Sequence, residues 1–194
     1  MPHPSRWAQP LKPRHRNFFI VDISDYSVRD DASQTHVRGT MIDMVEQVAA
    51  GLGIRWRSEL HSDRGDGLLI VAEKRGRIDV LLTDLPRRLN DAVRRHNMTA
   101  SPDTQIQLRV AVGAGFLHRD EKGYSGDAIN RATRLLDAPE LKAEMKSQGA
   151  GCGVIISGQL YEAIQGFHIL DDRKTQKVRV DVKETHTTAW MWIP

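Results

Sequence analysis

Two aspartates stand where backbone geometry would bring carboxylates together. Asp22 closes the apolar run Phe18-Phe19-Ile20-Val21-Asp22-Ile23, and Asp66 lies inside Arg64-Gly65-Asp66-Gly67, between the runs 54–60 and 67–72. The first run is too short for a membrane span and bulky enough for a buried strand, so Asp22 emerges at the edge of a core. The second reads as a hairpin whose glycines allow positive φ. If the two strands are neighbours, the carboxylates converge. Hard divalent cations such as Mg²⁺ take one or two protein carboxylates and fill their remaining positions with substrate phosphates, which fits this pair. Downstream, Asn130 and Arg134 are four residues apart, so on a helix they share a face and reach one ligand. Either aspartate alone is an ordinary turn or capping residue. The combination points to a metal-dependent nucleotide site.

The remaining pattern sharpens this. Leu108-Arg109-Val110-Ala111-Val112-Gly113-Ala114-Gly115 is an alternating strand with one charged residue, followed by Gly126-Asp127-Ala128-Ile129-Asn130-Arg131-Ala132-Thr133-Arg134-Leu135. In this order the four motifs resemble the class III nucleotidyl cyclase domain, the catalytic fold of adenylate and guanylate cyclases, over roughly residues 16 to 194. The resemblance implies that Asp22 and Asp66 bind two metal ions per site, Mg²⁺ or Mn²⁺, with the Ile23 carbonyl as a further ligand. It makes Arg109 a phosphate-binding arginine, Asn130 the residue that orients the ribose, and Arg134 the one that stabilises charge at the α-phosphate. Lys183 matches the family's triphosphate-binding lysine, with Lys177 and Lys174 as competitors. It also implies a head-to-tail homodimer in which one protomer supplies the aspartates and the other the Asn/Arg pair.

The base-recognition positions depart from the family. Adenylate cyclases usually carry Lys four residues before the second metal Asp, and Asp or Thr seven residues before the ribose Asn; here these are Ser62 and Gly123. Serine is short and glycine has no side chain, so neither supplies the usual adenine contacts. Arg64 replaces the apolar residue before the Gly-Asp turn. Directed into the base pocket, it suits the O2 and O4 acceptors of uracil; one residue of hairpin register would turn it to solvent instead. This looks like the stand-alone pyrimidine (uridylate) cyclases of bacterial antiphage signalling, favouring UTP as substrate, cyclic UMP as product and a separate cyclic-nucleotide effector. The alternatives are an adenylate or guanylate cyclase with an atypical base pocket, and a non-catalytic nucleotide-binding module on the same fold.

These residues need a frame. Residues 36–51 carry Val37, Met41, Met44, Val45 and Val48 at helical spacing, ended by Gly51 and Gly53. A second helix, 77–97, aligns Ile78, Leu81, Leu82, Leu85, Leu89 and Val93, with a kink expected at Pro86. The order strand, helix, strand, strand, helix, strand is the ferredoxin-like βαββαβ arrangement, giving an α+β fold with C-terminal additions. Pro139 opens a polar helical stretch. Residues 153–157 form a strand, Ser157 caps a helix through Ile164, and strands near 178–183 and 188–193 close the chain.

A chain of 194 residues with 40% hydrophobic content suits one catalytic domain, 17–194. Much of the net charge of +3 lies in residues 1–16, where Arg6, Lys12, Arg14 and Arg16 occur without an acid, a flexible basic tail. No zinc-finger spacing or aromatic RNA-binding signature marks a dedicated nucleic-acid module. The lone Cys152 cannot form an intramolecular disulfide, no apolar run approaches about 18 residues, and Met-Pro-His-Pro-Ser-Arg holds no apolar signal region. A cytoplasmic protein is expected, without a membrane span.

Overall fold

The computed structural model describes residues 12–57, 61–63 (through their backbone), 65–72, 77–121, 123–182 and 185–194. The chain runs β1 (Arg14–Ile23), α1 (Asp31–Gly51), β2 (His61–Asp63), β3 (Gly67–Ala72), α2 (Ile78–Leu82), α3 (Asp84–Asn97), β4 (Leu108–Asp120), β5 (Gly123–Ser125), α4 (Asp127–Leu136), α5 (Pro139–Ser147), β6 (Cys152–Ser157), α6 (Gly158–Ile164), β7 (Gln176–Val182) and β8 (Thr185–Trp192). Spatial strand order is β2-β3-β1-β4-β6-β8-β7, with β5 paired to β4 off this path. The antiparallel set β2-β3-β1-β4 is the ferredoxin-like core, as the element order predicted. Beside it, β6 runs parallel to β4, and β8 and β7 follow antiparallel.

Strand alternation divides the core in two. From β1, Phe19, Val21 and Ile23 join the cluster that α1, α3 and α6 cover, while Phe18 and Ile20 join the cluster that α4 and α5 cover. Leu108, Val110 and Val112 of β4 and Cys152, Val154 and Ile156 of β6 extend the first cluster; Ala111 and Ile155 extend the second. Asp22 and Arg109 fall at the alternate positions, on the α4/α5 face. Cys152 is fully buried and its thiol is pushed up to about 12 by that burial, as fits a packing residue.

Caps and glycines set the boundaries. The Asp30 carboxylate accepts from the Ser33 amide and starts α1, five residues before the periodic apolar pattern begins. Ser157 accepts from the Leu160 amide and opens α6, as expected. At Gly113 an added Cβ would lie 2.3 Å from Cζ of Phe18, so the Phe18 ring rests on bare backbone.

Three expectations are corrected and one strand is added. Residues 54–57 are not strand, and the first arm of the hairpin is β2. The Ile54 amide donates to the Ala49 carbonyl at 2.9 Å and its side chain is buried, so that apolar residue completes the end of α1 instead. The 77–97 helix is two helices broken at Thr83, and Pro86 falls in the first turn of α3, where its missing N–H costs no intrahelical bond. β4 extends to Asp120 and gives Arg14, His15 and Arg16 the partners Leu117, Phe116 and Gly115, so the sheet begins inside the segment expected to be a tail. Finally β5, which the residue pattern did not signal, folds back on β4.

Candidate active site

The middle of the site is one row of residues across four strands. Gly67 of β3 opposes Asp22 of β1, Asp22 opposes Arg109 of β4, and Arg109 opposes Gly153 of β6. The glycines at both ends make room. A Cβ on Gly67 would sit 2.7 Å from the Val21 carbonyl oxygen, and one on Gly153 would sit 2.6 Å from Cγ and Sδ of Met145 on α5. Bulk is excluded on both sides of the two charged residues, so α5 and the 65–67 turn close down on them.

Arg109 grips Asp22 with a two-pronged contact. Nε donates to Oδ1 at 2.9 Å and Nη2 to Oδ2 at 2.8 Å, while Nη1 donates to the Leu136 carbonyl at 2.9 Å. The Asp137 carboxylate stands 3.8 Å from Nη1. Side-chain exposure is 7% for Arg109 and 13% for Asp22. Burial pushes the Asp22 carboxyl up to about 7 against the pull of Arg109, and the charges of Asp66 and Asp137 add to the push.

Asp66 is exposed at the turn and its backbone is held on both sides. Its carbonyl accepts the Ile23 amide at 3.1 Å, and Arg38 of α1 donates from Nε to the neighbouring Gly65 carbonyl at 3.0 Å. Gly65 has φ of 87°, the left-handed region that favours glycine. Past the end of β1, Ser24 donates its amide to the Gln107 carbonyl at 2.9 Å. A cleft of about 570 Å³ opens here, lined among others by Ile23, Asp66, Arg109, Lys142 and Lys146. A space of this size is in the range of small-ligand sites.

The structure thus brings together Asp22, Ile23, Asp66 and Arg109. It does not bring Asn130 and Arg134 to the same cleft. These two lie on α4, Asn130 exposed and Arg134 half-buried, and Arg134 Nη1 donates to the Thr185 hydroxyl at the start of β8 at 3.0 Å. Ser62 opposes Leu69 in the β2–β3 ladder. Gly123 opens β5 opposite Asp120 with φ of 121°, so this base-contact position carries a turn glycine. Arg64 and Lys183 lie outside the described residues. Of the competing lysines, Lys177 places its ammonium 5.9 Å from the Trp190 ring centre on β8, and Lys174 closes a backbone turn with Asp171. Arg109 braces Asp22 and the Leu136 carbonyl with three of its five side-chain N–H groups and also lines the cleft, so its bracing role stands beside the expected phosphate contact. Sequence reasoning missed Arg38, Lys142 and Lys146. The spacing of the two lysines, i and i+4 in a polar helix, was the available signal.

No protein-family model matches the sequence, and a search of curated proteins finds no relative. Solved structures do match. An adenylate/guanylate cyclase/hydrolase from Silicibacter pomeroyi aligns with a TM-score of 0.68 at 16% identity, over 95% of this chain and 99% of that one. The guanylyl cyclase Cya2 aligns at 0.63 and 13%, covering 95% and 93%. The guanylate cyclase domain of RhGC from Catenaria anguillulae, in complex with GTP, aligns at 0.61 and 18%, covering 93% and 96%. The chain has the class III cyclase fold. At these identities the likeness carries architecture, and the chemistry rests on the residues of the cyclase-fold sheet themselves.

The donor set fits a hard divalent cation. Every candidate ligand is oxygen: the carboxylates of Asp22 and Asp66 and the Ile23 carbonyl. Each Asp22 oxygen accepts one N–H from Arg109, which leaves it a second lone pair for a cation. Among the described residues there is no cluster of three or more His, Cys, Asp or Glu side chains that could hold a metal ion. No helix among the described residues is long and apolar enough to cross a membrane.

Proposed function

We propose that this protein is a metal-dependent nucleotidyl cyclase that converts a nucleoside triphosphate, preferentially UTP, to the 3′,5′-cyclic nucleotide and pyrophosphate. The observation that carries the reading is the convergence of Asp22 and Asp66 at one end of a cyclase-fold sheet, beside a cleft large enough for a polyphosphate. Asp22, Asp66 and the Ile23 carbonyl hold Mg²⁺ or Mn²⁺. Bound cations supply neutralisation of the triphosphate and acidification of the attacking hydroxyl.

The chain's own residues do the rest. Asn130 orients the ribose, and the Arg134 guanidinium faces the charge that develops at the α-phosphorus. The 3′-oxygen forms a bond to the α-phosphorus as the bond to the bridging oxygen breaks. The hydroxyl proton passes to solvent and pyrophosphate leaves with the electron pair. Because Asn130 and Arg134 do not reach the Asp22–Asp66 cleft of their own chain, a head-to-tail homodimer with two composite sites completes the reading. The preference for UTP rests on the residues available for base contact. Ser62 and Gly123 cannot make the usual adenine contacts, and Arg64 is a donor matched to uracil carbonyls. Cyclic UMP would then be a second messenger in antiviral defence, read by a separate effector.

A second reading is favoured by the Asp22–Arg109 pair: a binding module on the cyclase fold whose metal carboxylate stays locked to arginine. The test is incubation of purified protein with Mn²⁺ or Mg²⁺ and each of ATP, GTP, CTP and UTP, with products identified by mass. Cyclic UMP from UTP is the expected result. Cyclic AMP or GMP would move the substrate to a purine, and nucleotide binding without any cyclic product under either metal would favour the module.

A further inference from the structure

The cleft beside Asp66 has a charge problem that the residues of the Proposed function leave open. Arg109 commits three of its five side-chain N–H groups to Asp22 and the Leu136 carbonyl. What remains on the walls is Asp25, Asp66 and Asp137, three carboxylates that would repel a polyphosphate. The other cations lining the cleft among the described residues are Lys142 and Lys146, both from α5.

Their position is built into the fold. α5 is anchored by Leu141 and Met145, which are buried and close over Gly153 at the end of the charged row. The lysines directly follow these two anchors, and their i,i+4 spacing puts both ammonium groups on the cleft side of the helix. Lys142 Nζ stands 3.9 Å from Asp137, whose carboxylate also faces Arg109 at 3.8 Å. Lys142 thus stands at the cleft wall beside Asp137.

We propose that Lys142 and Lys146 form a polyphosphate-binding pair, which takes the terminal phosphates of the nucleotide within the same chain that carries Asp22 and Asp66. This inference rests on the cyclase reading for the identity of the ligand and extends it to residues that the sequence pattern did not single out. An ammonium is a compact point charge with three donors, able to follow a flexible phosphate chain. Both lysines are exposed, so substituting them leaves the core intact.

The test is calorimetric titration of inorganic tripolyphosphate, with Mn²⁺ present, into wild-type protein, the Lys142→Gln/Lys146→Gln variant and the Lys142→Arg/Lys146→Arg variant, alongside the kinetics of whichever nucleotide is turned over. Loss of charge-assisted contacts should weaken tripolyphosphate binding about tenfold or more in the glutamine variant. The arginine variant should retain most of it. Turnover should show a raised KM with little change in kcat. Unchanged tripolyphosphate affinity in the glutamine variant, or no binding to the wild type, overturns the lysine pair. The two readings fail separately. Tripolyphosphate binding that depends on the lysines, with no nucleotide cyclised, would keep the pair and remove the cyclase; cyclisation with KM indifferent to the glutamines would do the reverse.

Discussion

Arg109 and Asp22 face each other across adjacent strands and are joined by two hydrogen bonds of 2.9 and 2.8 Å, in a pair almost closed to solvent. The carboxylate best placed to hold a cation is therefore also held by a guanidinium. Removing one partner of a buried pair strands the other. Arg109→Ala should cost about 3 kcal/mol or more of unfolding free energy, read as a lowered midpoint in urea. Arg109→Lys should recover only part of this, because an ammonium cannot reproduce the two-pronged geometry.

The pH dependence of the metal-free protein should carry the signature of Asp22. Its carboxyl lies at about 7 in the folded chain against an ordinary 3.8. Between those values the folded state binds a proton that the unfolded state has released. That contribution to stability is fully present below the ordinary carboxylate value and is lost as pH rises through about 7. Asp22→Asn should flatten this slope in denaturation curves taken across the interval. A cation competes with the same proton, so the stabilisation conferred by Mn²⁺ should change in the opposite sense and increase from pH 6 to pH 8, two conditions chosen to bracket the value of about 7.

Separation of Asp66 from Arg134 within one chain predicts complementation. Asp66→Ala and Arg134→Ala should each be folded and inactive in the nucleotide assay. Mixed dimers should regain one working site out of two, up to about one quarter of wild-type activity from statistical pairing. Mixed dimers verified by native mass spectrometry that stay inactive would remove the composite site.

Two glycine substitutions should move stability in opposite directions. Gly67→Ala places a Cβ 2.7 Å from the backbone oxygen of Val21, which cannot step aside, so it should cost about 1–3 kcal/mol and widen the approach of the Asp66 turn to Asp22. Gly39 lies within α1 with no atom inside 4 Å of an added Cβ. Gly39→Ala should stabilise the protein by about 0.5–1 kcal/mol. Thermal unfolding of both variants checks the pair.

Much of the frame was legible along the chain because strands and helices leave periodic marks. The runs around Ile20, Ile70 and Val110 read as strands and are strands, and the Met41–Val45 stripe reads as a buried helix face and is one. The misreadings have two causes, a helix end completed by a residue five positions on and a strand completed by a partner far along the chain. Ile54 looked like strand and serves the end of α1; Arg14 and Arg16 looked like tail and pair with Leu117 and Gly115. Local pattern cannot report a partner that lies a hundred residues away.

The sequence by itself determined the βαββαβ order of the core, the two carboxylates at strand and turn, and the Asn130–Arg134 face, because each is set by spacing within a few residues. Only the tertiary structure decided what Arg109 does. A lone arginine in an alternating strand has no partner until register is fixed, and register places it opposite Asp22 beneath α5, where burial makes an unmatched charge too costly. The same packing turned Lys142 and Lys146 from a polar helix face into a wall of the cleft. Spacing is local and survives in one dimension, whereas charge matching depends on which strands meet.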